Sequence, residues 1–74
     1  MSIKVRIQAN LRRYTGGRDI LETTGKTIGE CLDNLESQFP GIKQLYLITN
    51  KPEKLSTPVK DGDEFGIVVF IGGG

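Results

Sequence analysis

The chain has no histidine and only one cysteine, Cys31. Without histidine, a candidate active site lacks the commonest general base and the commonest metal ligand. A single cysteine forms no disulfide within one chain, and it completes neither a cysteine zinc site nor an iron–sulfur cluster. We therefore do not expect this chain to be a zinc protein, a ferredoxin or a histidine-dependent catalyst.

A charge imbalance and a long apolar run are also absent. The chain has 10 lysines and arginines against 9 acidic residues, a formal net charge of +1, whereas nucleic-acid-binding domains are typically strongly basic. No apolar run approaches the roughly 20 residues of a membrane span, and the start MSIKVRIQ lacks the apolar stretch of a signal peptide. We therefore expect a cytoplasmic protein with no membrane or nucleic-acid partner.

The beginning of the chain predicts two strands. Residues 3–9 alternate between apolar and polar side chains, which is the period of a strand with one buried face. TGGRD (residues 15–19) supplies glycines for a turn, and RDILETT (residues 18–24) has the composition of a second, shorter strand. We expect the two strands to form an antiparallel hairpin.

The clearest helix signal is KTIGECLDNLESQFPG, residues 26–41. Thr27 and Glu30 have the spacing of a capping box, in which each side chain accepts a hydrogen bond from an amide of the first turn. Pro40 and Gly41 are typical of a helix end. Five apolar residues share one helical face and predict a buried stripe: Ile28, Cys31, Leu32, Leu35 and Phe39.

The second half of the chain predicts further strands. QLYLITN (residues 44–50) is interpreted as a third strand, and residues 55–59 as a short fourth one. DGDE (residues 61–64) indicates a turn in which Gly62 adopts a positive φ. FGIVVFI (residues 65–71) is so apolar that we expect it at the centre of the sheet, beside the first strand. The predicted fold is α+β, with a mixed four- to five-stranded sheet and one main helix on one face.

This order of elements, together with the final glycines, resembles the β-grasp (ubiquitin-like) fold, and specifically its sulfur-carrier branch of the MoaD (molybdopterin synthase small subunit) and ThiS type. The segments IKVRIQANLRRYTGGRDILE, TIGECLDNLESQFPGI and VKDGDEFGIVVFIGGG are similar to the opening, the helix and the ending of that family. The resemblance implies one β-grasp domain over residues 1–71 and a flexible glycine tail over residues 72–74.

The chain departs from the MoaD pattern near its C-terminus. Prolines usually precede the final glycines in that family, whereas here Val69, Phe70 and Ile71 run directly into the tail. The chain also ends in three glycines rather than a pair. These departures leave the fold prediction unchanged, but they leave the pathway open among molybdenum cofactor, tungsten cofactor, thiamine and cysteine synthesis, with molybdopterin the preferred one.

The resemblance also implies a chemistry for the C-terminus. A partner enzyme adenylates the carboxylate of Gly74 with ATP, and a sulfur donor converts it to a thiocarboxylate. Gly72 and Gly73 enter the enzyme's narrow slot, since a glycine has no Cβ to clash. The chain would be a carrier and substrate with no catalytic residue, no metal and no bound cofactor, because ATP and Mg²⁺ belong to the activating enzyme. It could also be the small subunit of a molybdopterin synthase-type complex.

The body of the domain is expected to contact the activating enzyme through an apolar patch on the sheet face that the helix leaves uncovered. The candidates for this patch are Leu45, Leu47 and Phe70. Basic residues concentrated in the first 18 positions offer a second contact for an acidic partner, with Arg12 and Arg13 as the candidates.

Alternative functions also remain open from the sequence. A ubiquitin-like modifier would use the same terminal glycine and transfer it to lysines of target proteins. A β-grasp binding module would use the early basic cluster and Tyr14, with no tail chemistry. Cys31 is expected to be a buried apolar residue, since no cation is evident to lower its pKa. Asp61, Asp63 and Glu64 are expected to form a solvated turn rather than a metal site.

Overall fold

The central strand of a small mixed sheet organises the computed structural model, which describes residues 2–68. Strand β1 (Ile3–Ile7) pairs antiparallel with β2 (Ile20–Thr23) on one side and parallel with β3 (Glu64–Ile67) on the other, which gives the order β2-β1-β3. Two 3-10 helices lie at Ala9–Thr15 and Pro52–Ser56. The strands and α-helices of the described residues are β1 (Ile3–Ile7), β2 (Ile20–Thr23), α1 (Ile28–Glu36), α2 (Ile42–Thr49) and β3 (Glu64–Ile67).

The antiparallel pairing of the first two strands is confirmed, with Val5 opposite Leu21. The first strand is shorter than predicted, because it ends at Ile7. Ala9, the last apolar residue of the alternation, is exposed at the start of a 3-10 helix. That helix buries Leu11 beneath it, so the connection between the strands is itself part of the core.

Helix α1 begins as predicted. Its first-turn amide, the N–H of Glu30, donates to Thr27 Oγ1 at 3.2 Å. The Glu30 carboxylate reaches back to the N–H of Lys26 rather than to that of Thr27, also at 3.2 Å. Four of the five residues of the predicted stripe are buried, and Phe39 packs half-buried beyond the helix end.

The predicted third strand, residues 44–50, is wrong, because this segment belongs to helix α2. Its buried residues, Ile42 and Tyr46, are four positions apart and therefore lie on one helical face. Tyr46 packs edge-on against Phe65 of β3, with 6.0 Å between ring centroids. The residues of this segment that reach the core are thus spaced as on one face of a helix.

The two remaining strand predictions are corrected in part. The short strand predicted at residues 55–59 is replaced by the second 3-10 helix and one isolated bridge between Thr27 and Pro58. The final strand does lie beside the first, but β1, not β3, is at the centre of the described sheet. β1 has a partner on each side, β2 antiparallel and β3 parallel, whereas β3 pairs only with β1 among the described residues. Residues 69–71 of this prediction lie outside the described residues.

One core on the helical side of the sheet joins all these elements. It combines the inward residues of β1 with Ile67 of β3, the α1 stripe and the buried face of α2. Gly62 adopts the predicted positive φ, 88°, in the turn before β3. The opposite face of the sheet carries no helix among the described residues and is called the open face below.

The corner between the two helices depends on Glu36. Its carboxylate accepts hydrogen bonds from the N–H of Gly41 at 2.7 Å and from the N–H of Lys43 at 3.0 Å. These are amide groups at the start of α2 that lack partners within the helix. The two bonds, that to Gly41 first, lower the pKa of Glu36 from its ordinary 4.5.

Glu36→Gln is expected to lower the thermal unfolding midpoint at neutral pH. A carboxylate whose pKa is lower in the folded state stabilises the fold above its unfolded pKa, and this contribution disappears as the pH falls through the folded value. The difference between wild type and Glu36→Gln should therefore be largest near pH 7 and should close as the pH falls below 4.5. Circular dichroism melts across this pH range test it.

Glu53→Gln is the matched control, because Glu53 is exposed and its carboxylate makes no hydrogen bond with residues 2–68. A gap between wild type and Glu36→Gln that stays constant down to low pH would show that the carboxylate charge is not what holds the corner.

Candidate functional site

The end of β3, where the chain leads toward the terminal glycines, is held by two hydrogen bonds. The N–H of Gln8 donates to the carbonyl of Ile67 at 3.2 Å. Thr49 Oγ1, at the end of α2, donates to the carbonyl of Val68 at 2.8 Å. Because Ile67 is also completely buried, the backbone is fixed as far as Val68. The predicted reactive residue Gly74, its neighbours Gly72 and Gly73, and Phe70 lie outside the described residues.

The open face of the sheet lies next to the end of β3. It carries charged residues of both signs, and its one ion pair among the described residues joins Arg6 and Glu64, with 2.7 Å between Arg6 Nε and Glu64 Oε1. Both side chains are largely exposed, so this pair contributes little to stability. Its hydrogen bond and charge raise the pKa of Arg6, and the guanidinium charge is thus already matched within the fold.

A cavity of about 300 Å³ lies at the end of the open face nearest Val68. We call it the Arg12 cavity. Its floor is Gly66 of β3, and apolar contacts come from Ile20 and Val68, which are 39% and 40% exposed. Polar groups come from Arg6, Arg12 and Asp19. The cavity therefore combines a small apolar surface with guanidinium groups beside Val68, the last described residue.

Arg12 differs from the other basic residues. Its Nε is buried and has no hydrogen-bond partner in the part of the chain that the structure describes. The backbone around it is fixed, because the single O–H of buried Thr15 lies between two carbonyl acceptors, that of Arg18 at 2.8 Å and that of Arg12 at 3.1 Å. A buried donor without an acceptor is uncommon in folded proteins and destabilises the fold.

Arg13, the neighbouring candidate for partner contact, lies in a different environment. It is exposed, and its guanidinium carbon lies 5.2 Å from the centre of the Tyr14 ring. This cation–π contact is at the surface. The structure therefore separates the two arginines, since Arg12 lines the cavity and Arg13 does not.

The apolar contact residues predicted on the open face are misplaced. Leu45 and Leu47 are half-buried on α2 and pack against the core. Their predicted placement on the sheet face is wrong because the segment is helical, and their contact with a partner stays a prediction. The exposed apolar residue of α2 is Ile48, 56% exposed. The exposed apolar residues beside the open face are Ile20 and Val68.

The remaining candidate residues have structural roles. Cys31 is completely buried, as predicted, and burial raises the pKa of its thiol. Asp61 Oδ1 accepts from the N–H of Ser2, and Asp63 Oδ2 from the N–H of Lys60, so these carboxylates close the turn before β3. Residues 2–68 contain no group of three or more histidines, cysteines or acidic residues placed to hold a metal. None of their helices is long and apolar enough to cross a membrane.

Sequence reasoning missed Ile20, Gly66 and Val68 as site residues. A signal for Gly66 was present, since a glycine inside an apolar strand often marks a close approach by another chain or a ligand. Ile20 could have been found from the hairpin alternation, because it and the buried Leu21 point to opposite faces of the sheet.

Curated relatives match the chain over its full length. They are the sulfur carrier proteins CysO of Mycobacterium bovis and Mycobacterium tuberculosis, each 27% identical over 93 residues with both chains completely covered. Because the chain has only 74 residues, the alignment contains positions of the relatives that have no counterpart here.

Solved structures agree with this match. A chain of the Amycolatopsis orientalis BexX/CysO complex superposes with a TM-score of 0.79 at 29% identity, covering 97% of this chain and 99% of that one. Mycobacterium tuberculosis CysO, described as an antigen, superposes with a TM-score of 0.76 at 25% identity, covering 89% of this chain and 96% of that one. The predicted β-grasp, α+β fold is confirmed, with fewer strands than expected. The ThiS family model matches residues 5–74, so the chain belongs to the ThiS family of ubiquitin-like β-grasp proteins.

Proposed function

We propose that this chain is a sulfur carrier whose terminal carboxylate, on Gly74, is adenylated by a partner enzyme and converted to a thiocarboxylate. The observation that carries the proposal is the match of the ThiS family model, which runs through to Gly74. The full-length similarity to sulfur carriers named CysO supports the same role. The chain acts as a substrate and carrier rather than as an enzyme.

The chemistry of adenylation suits this division of labour. A terminal carboxylate has a pKa of about 3.3–3.7, so it is ionised and can attack the α-phosphate of ATP. The charge that develops on the phosphate needs Mg²⁺ or several cations nearby. Residues 2–68 hold no acidic cluster for Mg²⁺, and Arg6 is already paired with Glu64. The adenylating enzyme would supply ATP, Mg²⁺ and the groups that bind them.

The anchored exit at Val68 suits insertion of a tail into an enzyme. Ordering each glycine of the tail costs about 1–2 kcal/mol of backbone entropy, so contacts made by the body must offset that cost. The body offers a fixed surface for them, because Ile67 is buried and the carbonyl of Val68 is bonded to Thr49. A structural neighbour was crystallised as a BexX/CysO complex, which supports a protein partner for this chain.

The receiving pathway is part of the proposal. The preference for molybdopterin stays a prediction, as does the large subunit of a molybdopterin synthase as a further partner. The matched relatives carry the name CysO, which favours cysteine synthesis, one of the alternatives that the sequence left open. A cytoplasmic location fits either pathway, because both use ATP and a reduced sulfur donor.

Deletion of Gly74 is expected to abolish activation. The native chain, incubated with ATP, Mg²⁺, its adenylating enzyme and a sulfur donor, should gain the mass of one oxygen replaced by sulfur, located at Gly74. The shortened chain should gain nothing in intact-mass spectrometry, and its thermal midpoint should equal that of the native chain, since Gly74 has no side chain to bury.

Normal activation of the shortened chain would contradict the assignment of Gly74. If the native chain shows neither a mass gain nor ATP–pyrophosphate exchange with any candidate adenylating enzyme, the carrier function itself is wrong. Transfer to lysines, seen as larger covalent adducts, would instead indicate a protein modifier.

A further inference from the structure

The Arg12 cavity is too small and too sparsely lined for a cofactor. Its volume of about 300 Å³ is at the lower limit of small-molecule sites, which bury most of their ligand. Val68, the last described residue, is among the residues that line it. A single protruding side chain of another protein would fit this position.

The chemistry of the cavity specifies which side chain. The Arg12 side chain has no acceptor among residues 2–68: its Nε is buried, whereas its terminal amino groups are not. The second guanidinium, that of Arg6, already bonds Glu64. Asp19 adds a negative charge to the wall. The cavity therefore has one unmatched cationic donor, which suits one carboxylate, whereas the carboxylates of Asp19 and Glu64 would repel a doubly charged phosphate.

Gly66 supports the docking of another chain here. A Cβ built on it would meet only the carbonyl oxygen of Arg6 at 3.8 Å and the Cβ of Arg6 at 4.0 Å, both ordinary contacts. A larger residue would therefore fit at position 66. It would also favour the strand, since a glycine inside a strand weakens the strand. Because glycine has no side chain, it leaves space in the cavity that a larger residue would fill.

We propose that the Arg12 cavity receives an aspartate or glutamate side chain of the adenylating partner. The carboxylate accepts a hydrogen bond from the terminal amino groups of the Arg12 guanidinium, and an adjacent apolar residue of the partner contacts Ile20 and Val68. This inference rests on the proposed function, since the occupant belongs to the enzyme that activates the tail. Docking here places the body of the carrier against the enzyme beside Val68, where the described chain ends.

Arg12→Met tests the charge, and Arg13→Met is its matched control. Both remove one positive charge from adjacent positions, but only Arg12 lines the cavity. The affinity of the full-length carrier for its adenylating enzyme is measured without ATP, so that tail chemistry does not contribute. Arg12→Met should weaken binding about thirtyfold, because it leaves the partner's carboxylate buried without a cation. Arg13→Met should weaken it by less than about fivefold.

The thermal midpoints of the same variants separate docking from a structural role. Arg12→Met should melt at or above the wild-type midpoint, because it removes a buried donor that has no acceptor. A carrier that binds the enzyme equally well with Arg12→Met and Arg13→Met would overturn the proposal. The proposal would also be overturned if Arg12→Met lost much of its stability while its folded fraction bound the enzyme with unchanged affinity.

Gly66→Val tests the shape of the cavity independently of charge. Valine favours a strand and has room on the open face, so the thermal midpoint should not fall. Its side chain would fill the cavity floor and should weaken binding at least about tenfold. Unchanged binding by Gly66→Val would mean that no side chain enters the cavity.

Two further measurements separate this proposal from a free-anion site and from the proposed function. Stabilisation of wild type, but not of Arg12→Met, by inorganic phosphate alone would show a free-anion site and overturn the assigned occupant. ATP–pyrophosphate exchange is measured first with wild type: its absence overturns the proposed function and this occupant with it. If Arg12→Met and Gly66→Val both show normal exchange and normal binding, the docking role of the Arg12 cavity is wrong and the proposed function stands.

Discussion

The fold depends on the double pairing of β1. This strand bonds β2 on one side and β3 on the other, and its inward residues Ile3, Val5 and Ile7 are almost fully buried. β2 follows β1 in the first third of the sequence, whereas β3 comes more than 50 residues after β1. As a result, the two ladders of β1 join the hairpin to the last part of the described chain. A change that weakened β1 would release the end of β3 as well as the core.

The same ladder explains why the two sides of the sheet differ. One side buries the apolar residues against α1 and α2. The other carries an exposed ion pair, a strand glycine and a buried donor with no acceptor in the described chain. None of these is the choice that stability alone would favour. Features that cost stability are expected where a protein meets a partner, which is why the open face, rather than the helical side, is the candidate interface.

Much of the fold could be predicted from the sequence, and the errors have physical causes. The β1 alternation and the α1 stripe each have a clear period, so both were found. In QLYLITN the apolar residues are consecutive, and a short apolar run does not distinguish a strand from a buried helix. Here Glu36, outside the run, binds the first amides of α2 and favours the helix. The Arg12 cavity could not be predicted, because Arg12, Ile20 and Gly66 meet only after the sheet has formed.

The parallel arrangement of β1 and β3 has a mechanical consequence. Because the strands run in the same direction, a pull on the C-terminus acts along the ladder rather than across it. The bonds at its two ends, from Lys4 N–H to the carbonyl of Asp63 and from Gln8 N–H to that of Ile67, then carry the load together in shear. If the last strand were antiparallel to β1, a pull on its free end would separate the two strands from that end. Their hydrogen bonds would then break one at a time. A partner that draws the tail tight would therefore stretch the tail before it could peel the domain.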